Sequence, residues 1–158
     1  MYPIKIYAEL HWGRRRPQFE TRLNGQILNP KSTEVVHTFK YQEDIVFEFE
    51  GDFKKENTLE IIMRDKTDDD VGMIDNEWVD HWIKIREVEL DGIKGETALY
   101  HSCEFKHSMS SEWIENMRTQ GHIIEPCYPT GTDIRLNGTW SMQFITPVWQ
   151  WYTERYAK

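Results

Sequence analysis

From Ile4 to Trp12 every second residue is apolar: Ile4, Ile6, Ala8, Leu10 and Trp12 share one phase, and Lys5, Tyr7, Glu9 and His11 share the other. That phase fits an extended strand with one buried face, because successive side chains of a strand point to opposite sides of its sheet. The alternation returns in Phe19, Thr21 and Leu23, in Val35, His37, Phe39 and Tyr41, in Ile45, Phe47 and Phe49, and in Leu59, Ile61 and Met63. Turn residues separate the runs: Gly13 and Pro17 bracket Arg14 to Arg16, and Gly51-Asp52 ends the fourth run. Asn24-Gly25 suits a two-residue type I′ hairpin, since both residues tolerate positive φ. Short strands with turns at this spacing predict a mostly β chain folded as an antiparallel β-sandwich or barrel, the sandwich being the reading adopted.

The second half is less regular. Residues 65–77 read as a long acidic loop. From Trp82 the chain is extended again through Ile83, Ile85, Val88 and Leu90, but the apolar phase slips between Ile85 and Val88. One extra residue near Arg86-Glu87, a β-bulge, resets the face that points inward. Thr97 to Phe105 reads as a further strand. Ser110-Ser111-Glu112 ahead of Trp113, Ile114 and Met117 predicts one or two capped helical turns. A last strand runs from Asp133 to Phe144, interrupted at Asn137-Gly138. Pro147 then opens a short C-terminal helix in which Val148, Trp151, Tyr152 and Tyr156 lie at helical spacing. No repeat or linker divides the chain, so residues 1–158 are expected to form a single sandwich domain.

Composition narrows the function. The net charge is −8 and the one basic run is Arg14 to Arg16, which argues against nucleic acid as a partner. No apolar run is long enough to span a membrane. The N-terminus lacks the apolar core of a signal peptide, so the product is expected to be made and kept in the cytoplasm. In that compartment Cys103 and Cys127 are expected to be reduced thiols, with a disulfide between them as the alternative that the sequence leaves open. Aromatic residues make up 13% of the chain, with seven Trp and seven Tyr. That exceeds the need of a core this size and points to binding. Trp12, Trp140 and Trp151 fit core packing. Trp78, Trp82, Tyr100, Trp113 and Tyr128 lie in or beside irregular segments and are the candidate ligand-binding set.

Sites of chemistry are sparse. Asp65-Lys66-Thr67-Asp68-Asp69-Asp70, with Asp75 and Asp80 beyond, is the densest carboxylate cluster. A hard cation such as Ca²⁺ takes six to eight oxygens, but the spacing is not that of an EF-hand, and a solvated turn between strands is the reading favoured over a metal site. Cys103, His107, His122 and Cys127 could in principle surround zinc, yet they lack a compact ligand knuckle. No Gly-x-Ser-x-Gly elbow is present. Glu48 and Glu50 share the outer face of one strand, near the separation a glycosidase pair needs, but glutamates on a solvated face are the ordinary arrangement.

Three stretches resemble a known group. They are Asn57-Thr58-Leu59-Glu60-Ile61 leading into Asp65 to Asp70; Trp82-Ile83-Lys84-Ile85 through Glu89-Leu90-Asp91-Gly92-Ile93; and Leu136-Asn137-Gly138-Thr139-Trp140 ending in Pro147-Val148-Trp149-Gln150-Trp151. In this order they resemble small β-sandwich proteins of large tailed bacteriophages, cyanophages included, whose layout is similar to jelly-roll carbohydrate-binding modules. The resemblance implies a non-enzymatic, virion-associated protein. It would be made in the host cytoplasm, form homo-oligomers, and bind host glycan or neighbouring structural proteins through exposed aromatics. By the same resemblance a calcium ion would use Asp65, Asp68 and Asp70. A carbohydrate-active enzyme domain and a purely architectural virion subunit are the alternatives.

Overall fold

The structure is a computed structural model that describes residues 1–155. In chain order the strands begin with β1 (Tyr2–His11), β2 (Phe19–Leu23), β3 (Gln26–Leu28), β4 (Ser32–Phe39), β5 (Gln42–Gly51) and β6 (Glu56–Met63). They continue with β7 (Gly72–Ile74), β8 (Glu77–Val79), β9 (Trp82–Leu90) and β10 (Ile93–Lys94). After helix α1 (Glu96–Ser102) come β11 (Cys103–His107), helix α2 (Ser111–Thr119), β12 (Cys127–Pro129), β13 (Asp133–Ile134), β14 (Gly138–Ile145) and helix α3 (Val148–Arg155).

Two antiparallel sheets result. The first runs β10-β9-β1-β5-β4, with β13 added on β9, and the second runs β12-β11-β14-β6-β2-β3. The pairs β4–β5, β2–β6 and β1–β9 nest inside one another in sequence and alternate between the sheets, the winding of a jelly roll. The inner faces meet in one continuous core. Ile4, Ile6, Ala8 and Leu10 of β1 and Ile45, Phe47 and Phe49 of β5 face Leu59, Ile61 and Met63 of β6 and Trp140, Met142 and Phe144 of β14. Among the described residues no helix is long and apolar enough to cross a membrane.

Local chemistry explains the turns. Asn24-Gly25, Asp75-Asn76 and Asp91-Gly92 each have positive φ at both positions, between 50° and 81°, as type I′ hairpins require. Between Ile85 and Glu87 the β1–β9 register slips by one residue, leaving Arg86 as the extra residue. Val36 plays the same part on β4, between Val35 and His37. The expected third alternation therefore breaks at Val36, so that Val35 and His37 lie on opposite faces of the sheet.

Four expectations are corrected. Residues 96–102 are helical, because Ala98 and Leu99 are both buried and a strand cannot turn two successive side chains inward. The acidic segment is not one loop: it holds a 3-10 turn at Asp68–Asp70 and then the β7–β8 hairpin. Asp133 and Trp140 belong to different sheets, the chain crossing over at Asn137-Gly138. Pro147 caps α3 rather than opening it, its carbonyl accepting the first helical bond from the Trp151 N–H. Within α3, Val148 and Trp151 are buried as expected, whereas Tyr156 lies outside the described residues.

Candidate functional site

The β2–β6 register sets Phe19 opposite Met63, so the turn before β2 lies beside the segment after β6. Opposite charges meet there. The Arg15 guanidinium donates to both carboxylate oxygens of Asp70, at 2.8 and 2.6 Å, and to Asp65 at 3.2 Å. Arg14 donates to the Asp69 carbonyl at 2.6 Å, and Lys66 reaches Asp80 at 2.6 Å. Asp70 also accepts from the Thr67 N–H at 2.7 Å, closing the 3-10 turn. Burial alone pushes the Asp70 carboxyl up, but Arg15 and Thr67 outweigh it and hold the group below the usual carboxylate range. His81 is 1% exposed, with Nε2 3.1 Å from Asp65 and Nδ1 3.9 Å from Asp70.

This cluster is a mount. It fixes both ends of the segment that carries the β7–β8 hairpin, whose Ile74 and Val79 pack on Gly13. A Cβ at Gly13 would stand 2.4 Å from Val79 Cγ2 and 2.8 Å from Ile74 Cδ1, so the contact depends on glycine. The hairpin's other face carries Met73 and Trp78, which are register partners. Trp78 is 68% exposed and Met73 56%. Lys40 pairs with Glu77 at 3.1 Å, which brings the β4–β5 turn and its exposed Phe39 to the same end of the sandwich. Trp78 and Met73 thus leave apolar side chains exposed on the face of the hairpin that turns away from Gly13.

A second surface is polar. On the outer face of the first sheet, Arg135 covers one face of the Trp82 indole at 3.7 Å and His11 stacks on the ring at 4.0 Å with a 7° tilt. His11 reaches Glu9 at 3.1 Å, and Glu9 lies in register with Asp44. Two carboxylates directly opposite would repel. Arg86 lies 3.3 Å from Glu9 and 3.4 Å from Asp44, and Gln42 donates to both, which offsets the repulsion. Where β13 joins this sheet, a cavity of about 510 Å³ opens between Lys84, Asp133 and Arg135 on one side and Phe105 and Tyr128 on the other.

The five aromatics of the sequence reading do not converge. Trp78 stands on the hairpin, Trp82 is stacked between cationic and aromatic neighbours, Tyr100 is exposed on α1, Trp113 is half-buried on α2, and Tyr128 lines the cavity. Asp65 and Asp70 do come together, but around Arg15, while Asp68 points to solvent. Among the described residues no group of three His, Cys, Asp or Glu is placed to hold a metal ion. That covers the set Cys103, His107, His122 and Cys127, whose two thiols are free and donate to the Gly131 carbonyl and to Glu104. Glu50 is paired with Lys31, which lowers its pKa, and Glu48 accepts from Ser32. Sequence reasoning missed Met73, Phe39 and the hairpin itself. The signal was present in Asp75-Asn76, a turn dipeptide between two apolar pairs.

Compared with protein families, with curated proteins and with solved structures, the chain matches none.

Proposed function

We propose that this chain is a non-enzymatic β-sandwich of a tailed-phage virion, held to neighbouring structural proteins through Trp78, Met73 and Phe39. The phage setting rests on the sequence resemblance. The observation that carries the binding role is the exposure of Trp78 and Met73 side by side on a hairpin fixed by the Arg15–Asp70 mount. Trp, Phe and Met are enriched at the centres of protein interfaces, and a fixed support spares the entropy of ordering them on contact. The neighbouring protein is first of all another copy of this chain.

One observation favours a second reading. Tyr128 lies beside Lys84, Asp133 and Arg135 in the 510 Å³ cavity, an aromatic wall with converging polar groups of the kind that binds a sugar. Trp82 offers no such platform, since Arg135 and His11 take its two faces.

Light scattering over a concentration series, with and without Ca²⁺, and a glycan array on the same preparation test both. The expected result is a discrete oligomer that a Trp78→Ser/Met73→Ser variant loses without a change in melting temperature, Ca²⁺ having no effect. A chain that stays monomeric and binds glycan only while Tyr128 is intact overturns the assembly reading in favour of the second. Glu48→Gln and Glu50→Gln are expected to leave either behaviour unchanged; turnover of a glycan that these changes abolish would make the protein an enzyme.

A further inference from the structure

Residues 130–132, between β12 and β13, are pinned one by one. The Thr130 N–H donates to the Cys103 carbonyl at 2.9 Å, the Gly131 carbonyl accepts from the buried Trp140 indole at 3.0 Å, and the Thr132 carbonyl accepts from the Ile85 N–H at 2.8 Å. Thr130 has a φ of 61°, a region that a β-branched residue rarely enters. A Cβ at Gly131 would stand 3.0 Å from the Tyr128 carbonyl, so glycine lets the segment close down beside Tyr128 and Phe105. Backbone strain of this kind persists where the surroundings fix it, and it gathers at ligand sites. All three residues line the 510 Å³ cavity, whose volume lies in the range of about 300–1,000 Å³ usual for small-molecule sites.

One wall is aromatic. Phe105 and Tyr128 are register partners on β11 and β12, and their rings stack at 6.4 Å with 25° between the planes. The facing wall is charged. Lys84 and Asp133 are register partners, so their side chains rise from one face of the sheet. The cavity meets that outer face: Lys84, Asp133 and Arg135 line it, and the inward-facing Ile83, Ile85 and Ile134 beside them do not.

Lys84 is the unmatched charge of this wall. The register sets it between Glu9 on β1 and Asp133 on β13, and both carboxylates are taken by other donors. Glu9 is held by His11, Arg86 and Gln42, and it does not line the cavity. Asp133 is held by Arg135 and by the Thr132 hydroxyl, each at 3.4 Å. Among the described residues the half-buried Lys84 ammonium has no ion-pair or hydrogen-bond partner. The cavity wall thus carries two cations against one carboxylate, in a chain whose net charge is −8.

We propose that this cavity binds a carboxylate carried on a six-membered ring, with the ring against Tyr128 and the carboxylate on the Lys84 ammonium. The proposal names the ligand chemistry of the sugar-binding reading and rests on that reading's cavity. It is independent of the assembly surface, which lies on the β7–β8 hairpin.

The test is an amide NMR titration of the full chain with two matched pairs: glucuronate against glucose, and 4-hydroxybenzoate against 4-hydroxybenzamide. Shifts are expected at Gly131 and Thr132, with the acid of at least one pair bound roughly five- to tenfold more tightly than its neutral partner. That is the low end for a charge-assisted bond, because Lys84 is half-exposed. The pair that responds separates an acidic sugar from an aromatic acid. Lys84→Gln is expected to bring the acid down to the affinity of its neutral partner, and Lys84→Arg to keep the preference. The melting temperature should hold in both variants, since the ammonium has no partner to lose. Acid and neutral compounds bound equally, and lost together in Tyr128→Leu, would overturn this proposal while leaving the sugar-binding reading in place. A preference for acid that survives Lys84→Gln overturns it as well. No shift at residues 130–132 with any of the four compounds overturns both.

Discussion

Gly13→Ala is the smallest change that separates the hairpin from its mount. The new methyl would lie 2.4 Å from Val79 Cγ2 and 2.8 Å from Val79 Cβ and Ile74 Cδ1. Carbon atoms rest at about 3.5–4.0 Å, so the contact must open by roughly 1 Å. Val79 is 4% exposed and cannot swing clear, because its own Cβ is one of the clashing atoms. Overpacking of this kind costs about 1–3 kcal/mol. The loss is capped at the worth of the docked contact, because a detached hairpin loses nothing further, and a buried valine contributes about 1.5–3 kcal/mol. At about 2 kcal/mol, a chain of this length should melt roughly 4–8 °C lower. Amide exchange at Ile74 and Val79 should quicken while the β1–β5 pair is unaffected. Gly25→Ala is the control: nothing stands within 4 Å of its Cβ, so its positive φ of +81° costs about 1–2 kcal/mol with no effect at the hairpin. Combining Gly13→Ala with Val79→Ala should cost about 1 kcal/mol less than the two changes summed, since the second removes part of the clash. Strict additivity, or unchanged exchange at 72–79 in Gly13→Ala, would refute the contact as described.

Two further outcomes follow from the charges and thiols. Asp70 titrates below its ordinary value in the folded chain, so its contribution is complete above about pH 4 and fades as pH falls through the folded value. Asp70→Asn should lose about 1–2 kcal/mol at pH 7, the low end for a charge-assisted bond because Arg15 is 43% exposed. The gap in urea midpoint between wild type and variant should then narrow from pH 6 to pH 2; a constant gap would contradict the assignment. Burial pushes the Cys103 thiol up to about 11, so its reaction with a disulfide reagent at pH 8 should be roughly two orders of magnitude slower than that of an ordinary cysteine, recovering on denaturation. Reductant should leave the melting temperature unchanged, since neither Cys103 nor Cys127 is cross-linked.

Strands were legible where one face is buried and the other wet. In β1, β5 and β6 the core demands an apolar residue at every second position, and the sequence shows that demand directly. The slip at Arg86 was legible for the same reason, because both flanking runs keep an inward face. β4 lacks such a demand: all eight residues are exposed, and nothing in composition distinguishes the inserted Val36 from its neighbours. Residues 96–102 failed differently. Seven residues give a helix too few turns to display its period, and burial of Ala98 and Leu99 by β9 and β14 decides the state from outside the segment.

The candidate site was legible as residue types and not as pairings. Asp65 to Asp70 read as a solvated turn or, by the resemblance, as a cation site at Asp65, Asp68 and Asp70, because a run of carboxylates shows its charge in sequence while its partner stays hidden. The partner, Arg15, lies 50 residues before Asp65, and only the β2–β6 register brings the two together. Yet both halves were visible. Arg14 to Arg16 interrupt an otherwise acidic chain, directly before a strand whose neighbour ends where the acidic run begins. A sandwich that pairs those strands has to set one turn against the other, and there Arg15 meets Asp65 and Asp70. The same pairing places the aromatic: Trp78 owes its position to the Arg15–Asp70 pair and to the contact of Val79 and Ile74 on Gly13.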